Sequence, residues 1–424
     1  MLNFSPSLDF ARQLDQQDPL ASYREEFVSN DPDLIYLDGN SLGRLPKSVV
    51  ERMKKVVEEE WGTDLIRGWN KGWWDSPSRI GDKIGSLIGA AEGQVIAGDQ
   101  TSINLFKLAT AALTLQPQRK RIITDSFNFP SDLYVLQGIV KLLGDQHEII
   151  RIGAMDNEIT PDLPALEAAI DEDTALVMLS HVTFKSGYLY DMAHITELAH
   201  RMGALVLWDL SHSAGAVPVE LDKSDADLAI GCTYKYLNGG PGAPAFLYVN
   251  KRLQNNVTSP IWGWWGQKDP FEFDLDYQPA PGVQRFLAGT APVLSTLAME
   301  EALTPLLEAG MEAIRLKSVL MTDYASYLTD QLLAPLGFSL GTPRDSAKRG
   351  SHISIRHEEG YRINRAMIED MNVIPDFRAP DNIRLGFAPL YISFTDIWKG
   401  FDRIRQVVEK ELYEKYPKQK LTVT

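Results

Sequence analysis

Residues 174–209 read TALVMLSHVTFKSGYLYDMAHITELAHRMGALVLWD, and this stretch decides the fold. The apolar run TALVMLS is followed by the amphipathic segment MAHITELAHRMG and then by a second apolar run, ALVLWD. Short apolar runs that alternate with amphipathic segments are typical of buried parallel strands joined by crossover helices. The stretch therefore predicts a strand, a helix and a second strand of one parallel sheet.

The same alternation extends in both directions along the chain. Predicted helices are TSINLFKLATAALTL, SDLYVLQGIVKLLG and DLPALEAAID, and predicted strands are RIITD, EIIRIG, DLAIGC and PAFLYV. We predict an α/β fold with a mostly parallel sheet that is covered by helices. After residue 292 come long helical stretches and then HISIRH and NIRLGF, which predict a smaller α+β C-terminal domain.

Three segments divide the chain in this prediction. Residues 1–45 form an N-terminal segment that packs with the small domain, residues 46–290 form the large domain, and residues 291–424 form the small C-terminal domain. A chain of 424 residues is long enough for two or three such units.

The amino-acid composition argues against nucleic acids and membranes as binding partners. The net charge is −15 and no long, concentrated run of Lys or Arg is present, which argues against a nucleic-acid partner. Cys232 is the only cysteine, so no intrachain disulfide forms, and no stretch approaches the apolar length of a membrane span. We therefore expect a cytoplasmic protein that acts on small molecules, without a membrane partner or a metal.

Polar side chains follow the predicted strands, where ligands bind in open α/β sheets. Asp209 and His212 follow one apolar run, and Tyr234 and Lys235 follow another. Further candidates at such positions are Phe129, Asp132 and Ser180. Any one of these residues alone is ordinarily structural, as a solvated lysine, a hydrogen-bonded histidine or a core aromatic. Their occurrence at successive strand ends favours a site.

The set matches the requirements of pyridoxal phosphate. The cofactor needs an amine for a Schiff base, here Lys235, and a carboxylate opposite its pyridine nitrogen, here Asp209. Its phosphate needs a helix N-terminus, and Thr101 and Ser102 open a predicted helix, where they also fit a plain N-cap. Phe129 is the candidate for stacking on the ring.

The chain also resembles the fold-type I pyridoxal-phosphate enzymes, and within them the kynureninase family. The motifs that carry the resemblance are YLDGNSLGRLP (36–46), FNFPSD (127–132), WDLSHSAGA (208–216), CTYKYLNGGPG (232–242), GWWGQ (263–267) and IRLGFAPLY (383–391). The resemblance implies a mostly parallel, seven-stranded sheet. It also implies hydrolysis of L-kynurenine to anthranilate and L-alanine in tryptophan catabolism, with 3-hydroxykynurenine as a second candidate substrate.

The resemblance also assigns roles to individual residues. Lys235 would hold the cofactor and move a proton from the substrate Cα, and Tyr234 would protonate Cβ. Asp209 would pair with the pyridine nitrogen, with Asp132 and His212 around it. Residues implied at the cofactor's ring and phosphate are Thr101, Ser102, Phe129, Tyr234 and Ser180, with Thr183 as a competitor for the last.

The family builds its site across a homodimer, which implies that Trp264 and Thr290 reach the neighbour's phosphate. Arg384 would bind the substrate carboxylate. Ser41 and Trp69 would line the pocket for the substrate ring, and a bulky Trp69 would disfavour a 3-hydroxyl group.

Three alternatives stay open at this point. Another fold-type I enzyme, such as a cysteine desulfurase, would need a mobile nucleophilic cysteine, and Cys232 lies within a predicted strand. A binding protein that keeps the fold without catalysis would have no need of Lys235, Asp209 and Tyr234. A dehydrogenase would need a G-x-G-x-x-G after an early strand, which the chain lacks.

Overall fold

Helices and strands alternate through most of the chain in a computed structural model that describes residues 3–419. The outer ends of the predicted terminal segments, residues 1–2 and 420–424, lie outside the described residues. The helices are α1 (Leu8–Gln16), α2 (Lys47–Lys55), α3 (Ser76–Ile88), α4 (Thr101–Leu115), α5 (Pro130–Leu142), α6 (Leu163–Ala169), α7 (Met192–Arg201), α8 (Val293–Ala302), α9 (Thr304–Ala309), α10 (Met311–Leu328), α11 (Gly360–Met371) and α12 (Phe394–Glu409). The strands are β1 (Ile35–Tyr36), β2 (Val95–Ala97), β3 (Arg121–Asp125), β4 (Glu148–Ile152), β5 (Thr174–Ser180), β6 (Leu205–Asp209), β7 (Leu228–Gly231), β8 (Phe246–Val249), β9 (Ser339–Leu340), β10 (His352–Arg356), β11 (Val373–Ile374), β12 (Asp376–Arg378) and β13 (Asn382–Gly386).

The large sheet of the described chain has seven strands in the order β2-β8-β7-β6-β5-β3-β4. Strands β4, β3, β5, β6 and β7 pair in parallel, whereas β8 is antiparallel to both of its neighbours. The connection 232–245 contains no helix, so the chain returns beside β7 without the crossover that a parallel pair needs. The predicted α/β fold with a mostly parallel seven-stranded sheet is confirmed.

Helices cover both faces of the large sheet because its central strands are apolar throughout. Every residue of β5 and β6 is buried. Successive side chains of a strand point to opposite faces, so Leu176 packs in one core cluster with Leu105 of α4, and Val177 packs in the other with Ile195 of α7. Each such fully buried side chain stabilises the fold by about 1.5–3 kcal/mol.

The long helical run predicted after residue 292 is divided into α8, α9 and α10. Pro305 lacks a backbone N–H donor and lies in the first turn of α9, and Gly310 has φ +74° between α9 and α10. A proline favours a helix start and a glycine with positive φ ends one, so the run cannot continue as a single helix.

A small antiparallel sheet follows, with the strand order β12-β13-β10-β9. The N-terminal residues lie against this part of the chain: β1 pairs with β11, and Asp15 Oδ1 accepts a 2.6 Å hydrogen bond from the Phe394 amide. The division at residues 45 and 290 stays a prediction. No helix within residues 3–419 is long and apolar enough to cross a membrane.

Candidate active site

A cavity of about 230 Å³ lies at the carboxyl ends of the large sheet's parallel strands and is closed on one side by the small sheet. Of the predicted site residues, those that line it are Ser41, Thr101, Ser102, Phe129, Asp132, Ser180, Asp209, His212, Tyr234, Lys235 and Arg384. Four lining residues were not predicted, namely Ser131, Phe184, Ser211 and Arg378. Ser131 and Ser211 lie inside quoted motifs, and Arg378 and Phe184 carried no local signal.

The turn that carries Lys235 begins after β7, which ends at Gly231, so Tyr234 and Lys235 lie in the turn and not in the strand. The Lys235 Nζ lies 3.0 Å from Nε2 of His212. The amide of Gly43 donates to the Tyr234 carbonyl at 2.8 Å. A Cβ on Gly43 would collide with the Lys235 carbonyl, which explains why the NSLG segment ends in glycine.

Two buried carboxyl groups face the cavity side by side. Asp209 ends β6 and receives a 2.8 Å hydrogen bond from the Ser211 amide, whereas Oδ2 of Asp132 has no donor among the described residues. Burial, and then the neighbouring Asp209, raise the pKa of Asp132 well above its usual value. No cationic side chain of the described residues donates to either carboxyl, so a cationic group of a ligand would be stabilised here.

The N-termini of two helices open toward the cavity. α4 begins at Thr101 with no side-chain cap, and α5 begins with Pro130 at its first position. The hydroxyl groups of Ser102 and Ser131 lie 2.9 Å apart and join the two helix starts. Free backbone amides, hydroxyl groups and helix dipoles that converge in this way suit a phosphate.

Phe129 is held over the cavity by the turn after β3. Oδ1 of Asp125 accepts from the amides of Phe127 and Asn128, both at 2.9 Å. The Asn128 side chain in turn accepts from the Ser180 amide at 2.6 Å, which ties the turn to β5. The Phe129 ring is 44% exposed, so one of its faces is available for stacking.

The protonation states of two lining residues follow from their surroundings. The adjacent Cys232 and then burial raise the pKa of Tyr234 above its usual value, so its hydroxyl keeps its proton near neutral pH. Burial and then the Lys235 charge lower the pKa of His212 well below its usual value, so its ring is neutral there. Tyr234 is therefore equipped to donate a proton, and His212 to accept a hydrogen bond.

Arg384 lies on β13 and is 2% exposed. Its Nε donates to Oδ1 of Asp376 at 2.8 Å, its Nη2 donates to Ser41 Oγ at 2.9 Å, and its Nη1 donates to the Phe184 carbonyl at 2.6 Å. Ser41 thus connects the N-terminal loop to Arg384 at the edge of the cavity.

Three predicted site residues do not line the cavity of this chain. Trp69 packs edge-on against Trp265 with ring centroids 5.6 Å apart. Trp264 and Thr290 are exposed. An exposed position agrees with a role across a subunit boundary, and that role stays a prediction, as does the role of Trp69 at the substrate ring.

Side-chain positions bear on two alternatives from the sequence, and the role of Ser180 stays a prediction. Ser180 lines the cavity, whereas the Thr183 hydroxyl bonds to Ser186 Oγ at 2.9 Å and accepts from the Tyr188 amide. Cys232 follows β7, which ends at Gly231, and so does not lie within the strand as predicted. It is 3% exposed and burial raises the pKa of its thiol, which is the opposite of an activated nucleophile.

Comparison with known proteins identifies the family. A curated kynureninase from Pseudomonas fluorescens is 44% identical over 405 residues, which cover 94% of this chain and 95% of that protein. The chain belongs to the kynureninase family. A kynureninase from Burkholderia pseudomallei (strain 1106a) is 43% identical over 408 residues, or 95% of this chain and 96% of that protein.

Sequence profiles agree with membership of the kynureninase family. The kynureninase C-terminal domain profile matches residues 314–404, and the DegT/DnrJ/EryC1/StrS aminotransferase family matches residues 102–220. The fold is shared with a cysteine desulfurase from Thermococcus onnurineus NA1, at 19% identity and a TM-score of 0.76 over 97% of this chain and 100% of that one.

The chain is thus a pyridoxal-phosphate-dependent enzyme of the kynureninase family. A structural neighbour, a C-DES variant with glycine covalently linked to the cofactor, has a TM-score of 0.75 at 17% identity over 92% of this chain and 99% of that one. The cavity fits this cofactor by its amine, its paired carboxyl groups and its uncapped helix N-terminus.

Proposed function

We propose that this enzyme hydrolyses the Cβ–Cγ bond of L-kynurenine to anthranilate and L-alanine in tryptophan catabolism, with 3-hydroxykynurenine as a second candidate substrate. The observation that carries the proposal is one cavity lined by Lys235, Asp209, Tyr234 and Arg384 in a chain 44% identical to a kynureninase. An amine, a carboxylate, a protonated phenol and a guanidinium are the groups that this reaction needs.

Lys235 is the proposed attachment point for the cofactor, and Asp209 the partner of its ring nitrogen. Bound pyridoxal phosphate supplies an electron sink that stabilises negative charge next to the substrate nitrogen. The Lys235 amine then takes the proton from the substrate Cα, and His212, 3.0 Å away, keeps the amine directed into the cavity.

Water supplies the hydroxyl that bonds to Cγ as the Cβ–Cγ bond breaks, and Tyr234 is the proposed proton donor to Cβ. Its raised pKa keeps the hydroxyl protonated until the developing negative charge at Cβ withdraws the proton. Arg384 is proposed to bind the α-carboxylate and Ser41 to orient Arg384. Residues proposed around the cofactor are Thr101, Ser102, Phe129, Asp132, Ser180 and His212, and Trp69 is proposed near the substrate ring.

We further propose a homodimer in the cytoplasm, with Trp264 and Thr290 reaching the neighbour's cofactor phosphate. Large apolar side chains are exposed next to Trp264, with Phe273 at 77% and Leu275 at 101% exposure. Trp264, Phe273 and Leu275 line one surface depression, and an apolar surface of this kind favours burial against another protein. A second copy suits it because Trp264 is a predicted cross-subunit site residue.

The test is to add L-kynurenine to the purified protein loaded with pyridoxal phosphate and to follow anthranilate fluorescence. We expect turnover by the parent protein and loss of roughly 10²–10⁴-fold in the Lys235→Ala variant. Absence of anthranilate with folded, cofactor-loaded protein contradicts the reaction. Full turnover by Lys235→Ala contradicts the role of the lysine.

A further inference from the structure

The guanidinium of Arg384 has little donor capacity left for a substrate. Its Nε and Nη2 both bond to the Asp376 carboxylate, Nη2 bonds to Ser41, and Nη1 bonds to the Phe184 carbonyl. A guanidinium has five N–H groups, so one hydrogen on Nη1 remains. Arg384 alone therefore cannot form the bidentate pair that a carboxylate prefers.

Arg378 lines the same cavity and has the donors that Arg384 lacks. Its Nη2 lies 2.6 Å from Oδ2 of Asp376, and its Nη1 donates to the Phe377 carbonyl at 3.2 Å. Its Nε is buried and has no partner among residues 3–419. Its Nη1 and Nη2 each keep one unused hydrogen, so the guanidinium can still donate to a ligand.

Strand register brings the three charged residues together. Asp376 on β12 lies directly opposite Arg384 on β13, and Arg378 follows two residues later on the same face of β12. One carboxylate thus faces two guanidinium groups. Burial and then the Arg384 charge lower the pKa of Arg378, and Asp376 and Asp38 oppose them.

We propose that Arg378 is a second binding residue for the substrate's α-carboxylate, which it shares with Arg384, while Asp376 is the positioning residue for both. This inference rests on the proposed amino-acid substrate. One carboxylate oxygen is bound by the free Nη1 hydrogen of Arg384, and the other is bound by the free Nη1 hydrogen of Arg378. The side-chain exposure of Arg378, 33% against 2% for Arg384, leaves it accessible to an entering ligand.

The test compares two ligands that differ only at the carboxyl group, L-alanine and L-alaninamide, which are titrated into the cofactor-loaded protein and followed by cofactor absorbance. In Arg378→Gln we expect L-alanine affinity to fall about 10- to 100-fold and L-alaninamide affinity to change less than about 3-fold. KM for L-kynurenine should rise by a similar factor while kcat changes little. Arg378→Lys keeps the positive charge, so its L-alanine affinity should lie between those of the parent and Arg378→Gln.

A matched control is Arg356→Gln, because Arg356 belongs to the same small sheet, pairs with Asp381 at 2.9 Å and lies outside the cavity. Both ligands should bind this variant as they bind the parent.

Equal weakening of both ligands in Arg378→Gln, unchanged L-alanine binding, or a parent protein that binds the two ligands equally each overturns the proposal. If Arg378→Gln does not fold, Arg378→Lys is compared with the parent instead, with a smaller expected loss of L-alanine affinity and again little change for L-alaninamide. Anthranilate formation by the parent tests the reaction separately, since the two-ligand comparison does not require turnover.

Discussion

The Nζ of Lys235 lies 3.0 Å from Nε2 of His212, and the two residues come from the ends of neighbouring parallel strands. Burial and the lysine charge lower the pKa of His212, so Nε2 is available as an acceptor. The neutral His212 ring can therefore orient the Lys235 amine by a hydrogen bond, without forming an ion pair with it.

Replacing His212 tests this relationship. We expect His212→Phe to lower kcat about 10- to 100-fold and to weaken cofactor binding, because it removes the acceptor for the lysine amine. His212→Gln keeps a hydrogen-bond acceptor and should lose less kcat and less cofactor affinity than His212→Phe. Steady-state kinetics and cofactor titration by absorbance measure both effects, and a loss in His212→Gln as large as that in His212→Phe would contradict the role of the hydrogen bond.

Asp38 sets a pH dependence of stability. Burial and then Asp376 raise the pKa of Asp38 to about 7, against the opposing effects of Ser41, Arg384 and Arg378. The folded state therefore holds this proton more tightly than the unfolded state, and the free energy of unfolding falls as pH rises from about 4 to about 7.

Asp38→Asn should remove the loss of stability that Asp38 causes as pH rises from about 4 to about 7. We expect the free energy of unfolding at pH 8 to rise by roughly 1–4 kcal/mol, with a small change at pH 4, as measured by urea unfolding of the cofactor-loaded protein. Asp9→Asn, on the exposed surface of α1, is the control. A gain that is equal at both pH values would contradict the titration of Asp38.

Gly386 provides the space that the side chain of Asn40, a hydrogen-bond partner of Arg384, occupies. A Cβ at this position would overlap the side-chain amide of Asn40. In the orientation of this amide that satisfies its neighbours, the Asn40 oxygen accepts a hydrogen bond from Arg384 Nε at 3.0 Å. Gly386→Ala should therefore raise KM for L-kynurenine about 10-fold and lower the free energy of unfolding by about 1–3 kcal/mol. KM of the variant and its urea unfolding measure the two effects.

Gly138→Ala is the matched control, because nothing lies within 4 Å of a Cβ there and alanine favours the interior of α5. Gly138→Ala should raise the free energy of unfolding by up to ~1 kcal/mol and leave KM for L-kynurenine unchanged. An unchanged KM in Gly386→Ala would remove Asn40 from the account of substrate binding.

The exposed aromatic surface around Trp264 leads to a prediction about assembly. Phe273→Asp should shift the protein from dimer to monomer in sedimentation velocity and lower activity, because a buried charge at an apolar interface is costly. Leu142→Asp, at 67% exposure on α5, should leave the dimer intact. A monomeric parent with full activity would contradict the shared site.

The amino-acid sequence by itself determined the architecture and the main elements of the cavity. The bounds of α4, β3 and β5 coincide with the predicted segments because apolar periodicity is a local property that survives folding. Lys235, Asp209 and Asp132 were predicted to meet because the carboxyl ends of parallel strands lie at one edge of a sheet. The division into domains and the role of each residue stay predictions.

Only the tertiary structure decided which donors at the cavity are already used. The family resemblance implies that Arg384 binds the substrate carboxylate, with a salt bridge as the alternative, and Asp376, Ser41 and the Phe184 carbonyl take all but one of its N–H groups. Arg378 becomes visible as a donor only when β12 is paired with β13 in register. Hydrogen-bond partners come from segments that are distant along the chain, and their pairing depends on strand register and packing, which no local pattern of residues specifies.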